Sequence, residues 1–373
     1  MVPSPVSSIA FYISGHGFGH ASRQIEVINA LRACEPRLEV HAVTAAARRL
    51  FDRTATPPVH VHARACDTGV VQIDSLRLDA RATIERADAF CRDLPARAAE
   101  EAQWLAEARV RLVVGDLPPL AFAAAAAAGV PSVALGNFTW DWIYEGYSDE
   151  VRRCPDLVPA IRRAHGQAAA AWRMPIGGGF AGFTSVIDVP MVARHARHPR
   201  GAVRRALDLP LDRPLALVSF GGYGLESPGF ASLDCLDQYG VVFTVESRAV
   251  APPARAGVHV IHEDEMYGRG FRYQDLVAAV DVVVTKPGYG ILSECIANGA
   301  AMLYTSRGRF VEYDVFVERM PRYVRCRFLD QDALLAGRWR DALDDLVAQP
   351  PPPERMETNG AAVAAERILA MIE

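Results

Sequence analysis

Two histidines framed by three glycines, Gly15-His16-Gly17-Phe18-Gly19-His20, stand where an apolar run gives way to a helical pattern. Imidazole titrates near neutrality, so either ring could take a proton from a sugar or phenol hydroxyl as a general base. His20 is the stronger candidate and His16 the second. The free N–H groups of a helix start also suit an anionic ligand. The spacing, however, is not that of the dinucleotide fingerprint, and no Lys-Ser/Thr pair follows to make a phosphate loop. A tight turn with solvated histidines is the plain alternative. Asp116 follows the apolar run 112–115 and precedes Pro118 and Pro119. There a carboxylate could orient an imidazole and stabilise its protonated form, although a helix N-cap is an equally ordinary role.

A second constellation is Thr285-Lys-Pro-Gly-Tyr-Gly-Ile-Leu-Ser-Glu294. It again follows a β-branched run, turns through Pro287 and Gly288, and opens a helix. Backbone amides at Gly288, Tyr289 and Gly290 could bind phosphate oxygens, with the point charge of Lys286 beside them. Glu294 could accept from two ribose hydroxyls, and Glu312, in the loop after run 301–304, from the hydroxyls of a sugar. Of 40 lysine and arginine residues, Lys286 is the only lysine. A GC-rich genome drifts lysine codons towards arginine, so the survivor points to a role that a planar guanidinium cannot fill. A third glycine turn, Ser219-Phe-Gly-Gly-Tyr-Gly224, would let backbone at Gly221 and Gly222 approach a diphosphate. The bland alternatives are a plain turn and a solvated helix residue at Glu294.

These residues need elements to hold them. Runs at 8–14, 40–44, 111–115 and 132–135 read as strands, and 23–33, 81–107 and 120–128 as helices. Such alternation means βαβ units and a parallel, doubly wound sheet. An aromatic stretch follows, carrying Asn137, Trp140, Trp142 and Tyr144, whose rings could line an acceptor pocket or simply belong to the core. The pattern restarts with strands at 215–219, 241–245, 258–261, 280–285 and 301–304, and closes on a helix at 361–372. The expected organisation is a Rossmann-like domain over 1–195, a second over 196–355, and a terminal segment 356–373 packing back on the first. Two such halves in series place a cleft between them, with ligands outside the carboxyl ends of the strands.

Composition narrows the classes. With 373 residues the chain suits two domains. A net charge of −4 and interspersed signs offer no electrostatic case for nucleic acid or an anionic membrane. The alanine-rich run 120–135 is broken by Gly129 and Pro131, short of the roughly 20 residues that a membrane span needs. Met1 to Ser8 shows no signal-peptide pattern. Seven cysteines, none in a Cys-x-x-Cys pair, argue against a disulfide framework or a zinc site and fit the reducing cytoplasm.

Taken together, these segments resemble the GT-B glycosyltransferases. In particular they resemble the glycosyltransferase-like N-terminal region that L-arabinokinase-type proteins carry before a sugar-kinase domain. The matching stretches include Ser14 to Arg23, Val113 to Pro118, Gly136 to Tyr144, Ile187 to Pro190, Phe220 to Gly222, Thr285 to Glu294 and Asn359 to Ala365. The resemblance implies two Rossmann-like domains and an NDP-sugar, usually UDP-linked, as co-substrate held by the C-terminal half at Gly221, Gly222, Lys286, Gly288, Tyr289, Gly290, Glu294 and Glu312. It implies an acceptor held by the N-terminal half, around His16, Phe18, Asn137, Trp140, Trp142 and Tyr144. In inverting members a first-loop histidine is the base, supported by an aspartate, matched here by His20 and Asp116. No metal or other cofactor is expected. The kinase segment has no counterpart, so arabinose phosphorylation is not expected, and Tyr313 replaces a glutamine that many plant-type members carry. The rival expectations are a nucleotide-sugar 2-epimerase and a non-catalytic nucleotide-sugar sensor; neither acceptor nor oligomeric state is specified.

Overall fold

The computed structural model describes residues 8–220, 232–245 and 255–372. The chain divides into two compact units, one of Met1–Gln72, Leu78–Val192 and Glu357–Glu373, the other of Ile73–Arg77 and Ala193–Met356. Ile73–Arg77, which the sequence reading includes in the first domain, belongs to the second. There Ser75 Oγ donates to the Phe220 carbonyl at 3.0 Å, and Leu76 joins the apolar core.

In chain order the strands are β1 (Ser8–Ile13), β2 (Glu39–Thr44), β3 (His60–Ala63), β4 (Val71–Gln72), β5 (Leu78–Asp79), β6 (Val110–Asp116), β7 (Ser132–Phe138), β8 (Ala170–Gly178) and β9 (Val186–Asp188), then β10 (Leu215–Ser219), β11 (Gly240–Val245), β12 (Val258–His262), β13 (Val282–Thr285), β14 (Ala301–Tyr304) and β15 (Cys326–Phe328). The first unit holds a seven-stranded sheet ordered β3-β2-β1-β6-β7-β8-β9, and the second a six-stranded sheet ordered β12-β11-β10-β13-β14-β15. Both are parallel throughout. Their central strands are fully buried, β1 and β13 at every position, which is why they read as continuous apolar runs rather than alternating ones. In each sheet the order reverses once, between β1 and β6 and between β10 and β13. Strands diverge at such a switch point and leave room for a ligand at their carboxyl ends.

Four parallel strands escape the sequence reading, among them β9, which falls in the stretch read as the crossing between domains. β3 alternates His60, Val61, His62 and Ala63 at half-exposed positions, β8 contains Pro175 and ends in glycines, and β15 is short and largely exposed. None presents the apolar run that marks a buried strand. The helix expected over 81–107 is two helices, Ala80–Arg92 and Leu94–Glu107. The break falls at Asp93, just before Pro95, a residue suited to the first turn of a new helix. The helix expected from Arg23 starts earlier, at Gly17, and runs to Cys34. Gly17 takes φ +71°, a conformation that a side chain would strain. The closing helix Gly360–Ile372 packs on Gly17–Cys34, and a Cβ on Gly360 would stand 2.2 Å from the Pro190 carbonyl oxygen.

Candidate functional site

Because that first helix begins at Gly17, His20 is not in a loop but one turn into the helix, directly beyond the carboxyl end of β1. Asp116 closes β6, the strand paired with β1 in register, Ile13 opposite Asp116. The two residues therefore meet at the switch point of the first sheet. His20 Nδ1 lies 2.9 Å from Asp116 Oδ2, with His20 7 % and Asp116 0 % exposed. Arg23 Nη2 donates to the other Asp116 oxygen at 2.5 Å. Burial pushes the Asp116 carboxyl up, but Arg23 and His20 outweigh it and hold the group below its ordinary range. A carboxylate can only accept, so the proton of this bond sits on Nδ1, and in the neutral ring the lone pair is on Nε2. Arg23 Nη2 is also 3.3 Å from His20 Nδ1; both groups are donors, converging on one acid. The Arg23 Nη1 donates to Asn137 Oδ1 at 2.7 Å, and Asn137 Nδ2 donates to the Pro175 carbonyl at 2.8 Å.

Asn137 and the aromatic candidates take up different places. Asn137 is fully buried and Trp140 and Tyr144 are each 2 % exposed, their rings stacked with centres 5.8 Å apart. These rings are core, one of the two roles that the sequence leaves open. Trp142 is partly exposed and lies over the backbone of Gly178, where a Cβ would come within 2.5 Å of its ring. His16, the N-cap of the helix, meets the Trp140 ring edge-on at 6.0 Å. A Cβ on Gly69 would strike the His16 side chain at 2.6 Å, so glycine there makes room for it. Phe18 is 36 % exposed.

Two residues of this group are given no site role in the sequence reading. Arg23 carries a signal, since three positions after His20 on a helix puts both on one face. Asp67, in the loop after β3, carries none. It accepts from Ser14 Oγ at 3.0 Å and from Trp140 Nε1 at 2.8 Å. Burial raises its carboxyl from 3.8 to about 6, against the pull of His20 and these two donors. The native state thus holds this proton more tightly than the unfolded chain does. The resulting stability is fully present below about 3.8 and is lost as the pH rises through about 6. Asp67→Asn is expected to flatten that dependence, measured as the urea midpoint across the same pH range.

In the second unit, Lys286 leaves the carboxyl end of β13, and the helix Tyr289–Asn298 starts three residues later. Gly288, its N-cap, has an extended φ of −171°, and among the described residues nothing beyond its own chain neighbours lies within 4 Å of a Cβ built there. The first amides of the helix are those of Tyr289 and Gly290. The Tyr289 ring packs on Phe316 at 4.5 Å. Glu294 is 3 % exposed, not a solvated helix residue. Its Oε1 accepts from Arg194 Nε at 2.7 Å and also from Arg194 Nη2. Glu312, at the start of the helix Tyr313–Arg319, accepts on Oε1 from Arg307 Nη1 at 3.0 Å. Thr285 Oγ1 donates to the Ser219 carbonyl at 2.5 Å, tying the ends of β10 and β13 together at the second switch point. Gly221 and Gly222 lie outside the described residues. Among the described residues, no group of three histidine, cysteine, aspartate or glutamate side chains is arranged to hold a metal ion, and no helix is long and apolar enough to cross a membrane.

No model of a known protein family matches the sequence. Over 372 residues it is 30 % identical to the L-arabinokinase of Arabidopsis thaliana, 95 % of this chain against 33 % of that protein. The chain thus spans about a third of the length of the curated relative it matches. Among solved structures, the glycosyltransferase SnogD from Streptomyces nogalater aligns over 98 % of this chain and 99 % of its own, with a TM-score of 0.57 and 18 % identity. The glycotransferase of kitacinnamycin covers 99 % and 100 %, with a TM-score of 0.61 and 18 % identity. A UDP-glucose: anthocyanidin 3-O-glucosyltransferase, solved in complex with UDP, covers 98 % of both chains at a TM-score of 0.57 and 13 % identity. At identities this low the likeness is one of fold.

Proposed function

We propose that this chain, whose fold is that of the GT-B glycosyltransferases with two Rossmann-like domains, transfers a sugar from an NDP-sugar to a hydroxyl acceptor with inversion. The observation that carries the reading is the buried His20–Asp116 pair at the switch point of the first sheet. His20 Nε2 takes the proton of the acceptor hydroxyl. Asp116 keeps the ring in the tautomer that leaves Nε2 free and stabilises the imidazolium that forms. The acceptor oxygen attacks the anomeric carbon from the face opposite the nucleotide. The bond from that carbon to the diphosphate breaks, and the diphosphate leaves with the electron pair. The second unit supplies the charge stabilisation that the departing diphosphate needs, from Lys286 and the amides at Gly288 to Gly290. Glu294 receives the ribose hydroxyls and Glu312 those of the donor sugar. The acceptor meets the first unit around His16, Phe18 and Trp142, with Asn137, Trp140 and Tyr144 behind them. UDP is the first donor base to try, because a structural neighbour was solved with UDP; dTDP follows, because another was solved with DTDP. No metal is called on in this reading.

The deciding experiment incubates the protein with a panel of NDP-sugars, with and without mixed hydroxyl acceptors, and follows free NDP and sugar isomers. Acceptor-dependent NDP release supports transfer. Isomer conversion without an acceptor identifies a 2-epimerase, and binding without turnover a sensor. Glu294→Ala is expected to weaken nucleotide binding by about 10–100-fold, the loss of hydrogen bonds to a charged group. Unchanged affinity in a calorimetric titration rejects the ribose assignment.

A further inference from the structure

Beyond Val192 the chain leaves the first unit, and residues 194–198 lie against two helices of the second. Asn298, the last residue of the helix Tyr289–Asn298, holds their backbone at one end. Its Nδ2 donates to the Arg194 carbonyl at 2.9 Å, and its Oδ1 accepts from the Ala196 amide at 2.8 Å. Asp275, in the helix Tyr273–Ala279, holds the other end. Its Oδ1 accepts from the amides of Arg197 at 2.7 Å and His198 at 3.1 Å. A peptide fixed at both ends delivers the Arg194 side chain to the helix face that carries Asn298. Glu294 lies on that face, four residues before Asn298. Arg194 Nε, at 2.7 Å, and Nη2 both donate to Glu294 Oε1. The two side chains are 14 % and 4 % exposed, so this ion pair is largely shielded from water.

We propose that Arg194 is the positioning residue of the ribose site: it sets the Glu294 carboxylate where the hydroxyls of the nucleotide's sugar are received. The inference rests on the ribose assignment of Glu294 and adds to it a residue that acts through that acid. The physical reason is order. A glutamate able to turn about three bonds loses that freedom when it closes on a ligand, and the loss is charged against affinity. Two donors converging on one oxygen fix the direction of the carboxylate before the ligand arrives. Charge-assisted bonds from a planar guanidinium are short and directional, whereas an ammonium on its flexible stem is a point charge without that geometry. The guanidinium also supplies a counter-charge, without which a carboxylate so little exposed is costly to hold. Asn298 and Asp275 complete the arrangement, because they fix the backbone from which Arg194 reaches.

The test titrates the whole protein calorimetrically with UDP and with dTDP, each beside the analogue that lacks the hydroxyls of its sugar. The readout is the ratio of the two affinities. In the wild type the hydroxylated nucleotide is expected to bind about 10–100-fold more tightly, the worth of hydrogen bonds to a charged group. Arg194→Met is expected to bring that ratio down by about fivefold or more, while the analogue keeps its affinity. A residue that only supports the fold would weaken both nucleotides together and leave the ratio as it was. In a Glu294→Ala background, Arg194→Met is expected to change the ratio no further, because the two residues act as one unit. Should Arg194→Met fail to fold, Arg194→Lys, which keeps the charge and gives up the planar fork, is read in its place and is expected to lower the ratio in the same direction. A wild-type ratio in the folded Arg194 variant overturns the proposal, even where Glu294→Ala abolishes the discrimination and the ribose assignment stands. If the wild type does not discriminate, or Glu294→Ala discriminates as the wild type does, the ribose assignment falls and the inference falls with it. If neither nucleotide binds, the donor-site reading itself is rejected.

Discussion

His20→Ala is expected to lower acceptor-dependent turnover by about 10²–10⁴-fold, the range of a positioned general base, and to leave nucleotide-sugar affinity unchanged. The first effect follows from geometry. Nδ1 is committed to Asp116 at 2.9 Å, so Nε2 is the only basic atom of the ring, and an alanine offers no lone pair in its place. The second follows from placement: the residues assigned to the nucleotide, Lys286, Gly288 to Gly290 and Glu294, all belong to the second unit. Single-turnover kinetics at saturating donor separate the two effects. A variant that loses donor affinity while the rate per bound donor stays the same shows that His20 is not the base.

Asp116→Ala is expected to cost the first unit about 3–5 kcal/mol, as when one partner of a buried ion pair is removed, and to lower turnover by about 10⁴-fold. The carboxylate is fully buried, with Arg23 at 8 % and His20 at 7 % exposure around it. Both donors converge on its two oxygens. Without it the guanidinium retains, among the described residues, the Asn137 oxygen at 2.7 Å as its hydrogen-bond acceptor, and no ion-pair partner among them. The imidazole loses the bond that sets its tautomer. Asp116→Asn keeps the shape, so it is expected to lose less stability and about as much rate. Adding Arg23→Met to Asp116→Asn removes the stranded cation and should recover stability without recovering rate. Denaturant midpoints and turnover measured on the same preparations check this, and parallel recovery of both would show that the carboxylate acts on the fold alone.

Much of this is legible in local sequence. β1, β6, β10 and β13 announce themselves as apolar runs because parallel strands buried on both faces cannot alternate. His20 and Lys286 stand out because chemistry-bearing residues follow such runs next to glycines. The neighbours that set their behaviour do not stand out. Asp67 lies 47 positions from His20 in sequence, in a loop without a motif, and reaches the site through Ser14 and Trp140.

By itself, then, the sequence determined the alternation of strands and helices, the two doubly wound domains, and the identity of the groups able to move a proton or meet a phosphate. Those follow from periodicity and side-chain chemistry, which are local. Tertiary structure alone decided which of them touch: that Arg23 shares Asp116 with His20, that Glu294 is held by Arg194, and that Trp140 and Tyr144 are core. Charge, desolvation and tautomer depend on what comes within a few ångströms, and in a parallel sheet those neighbours arrive from strands far apart along the chain.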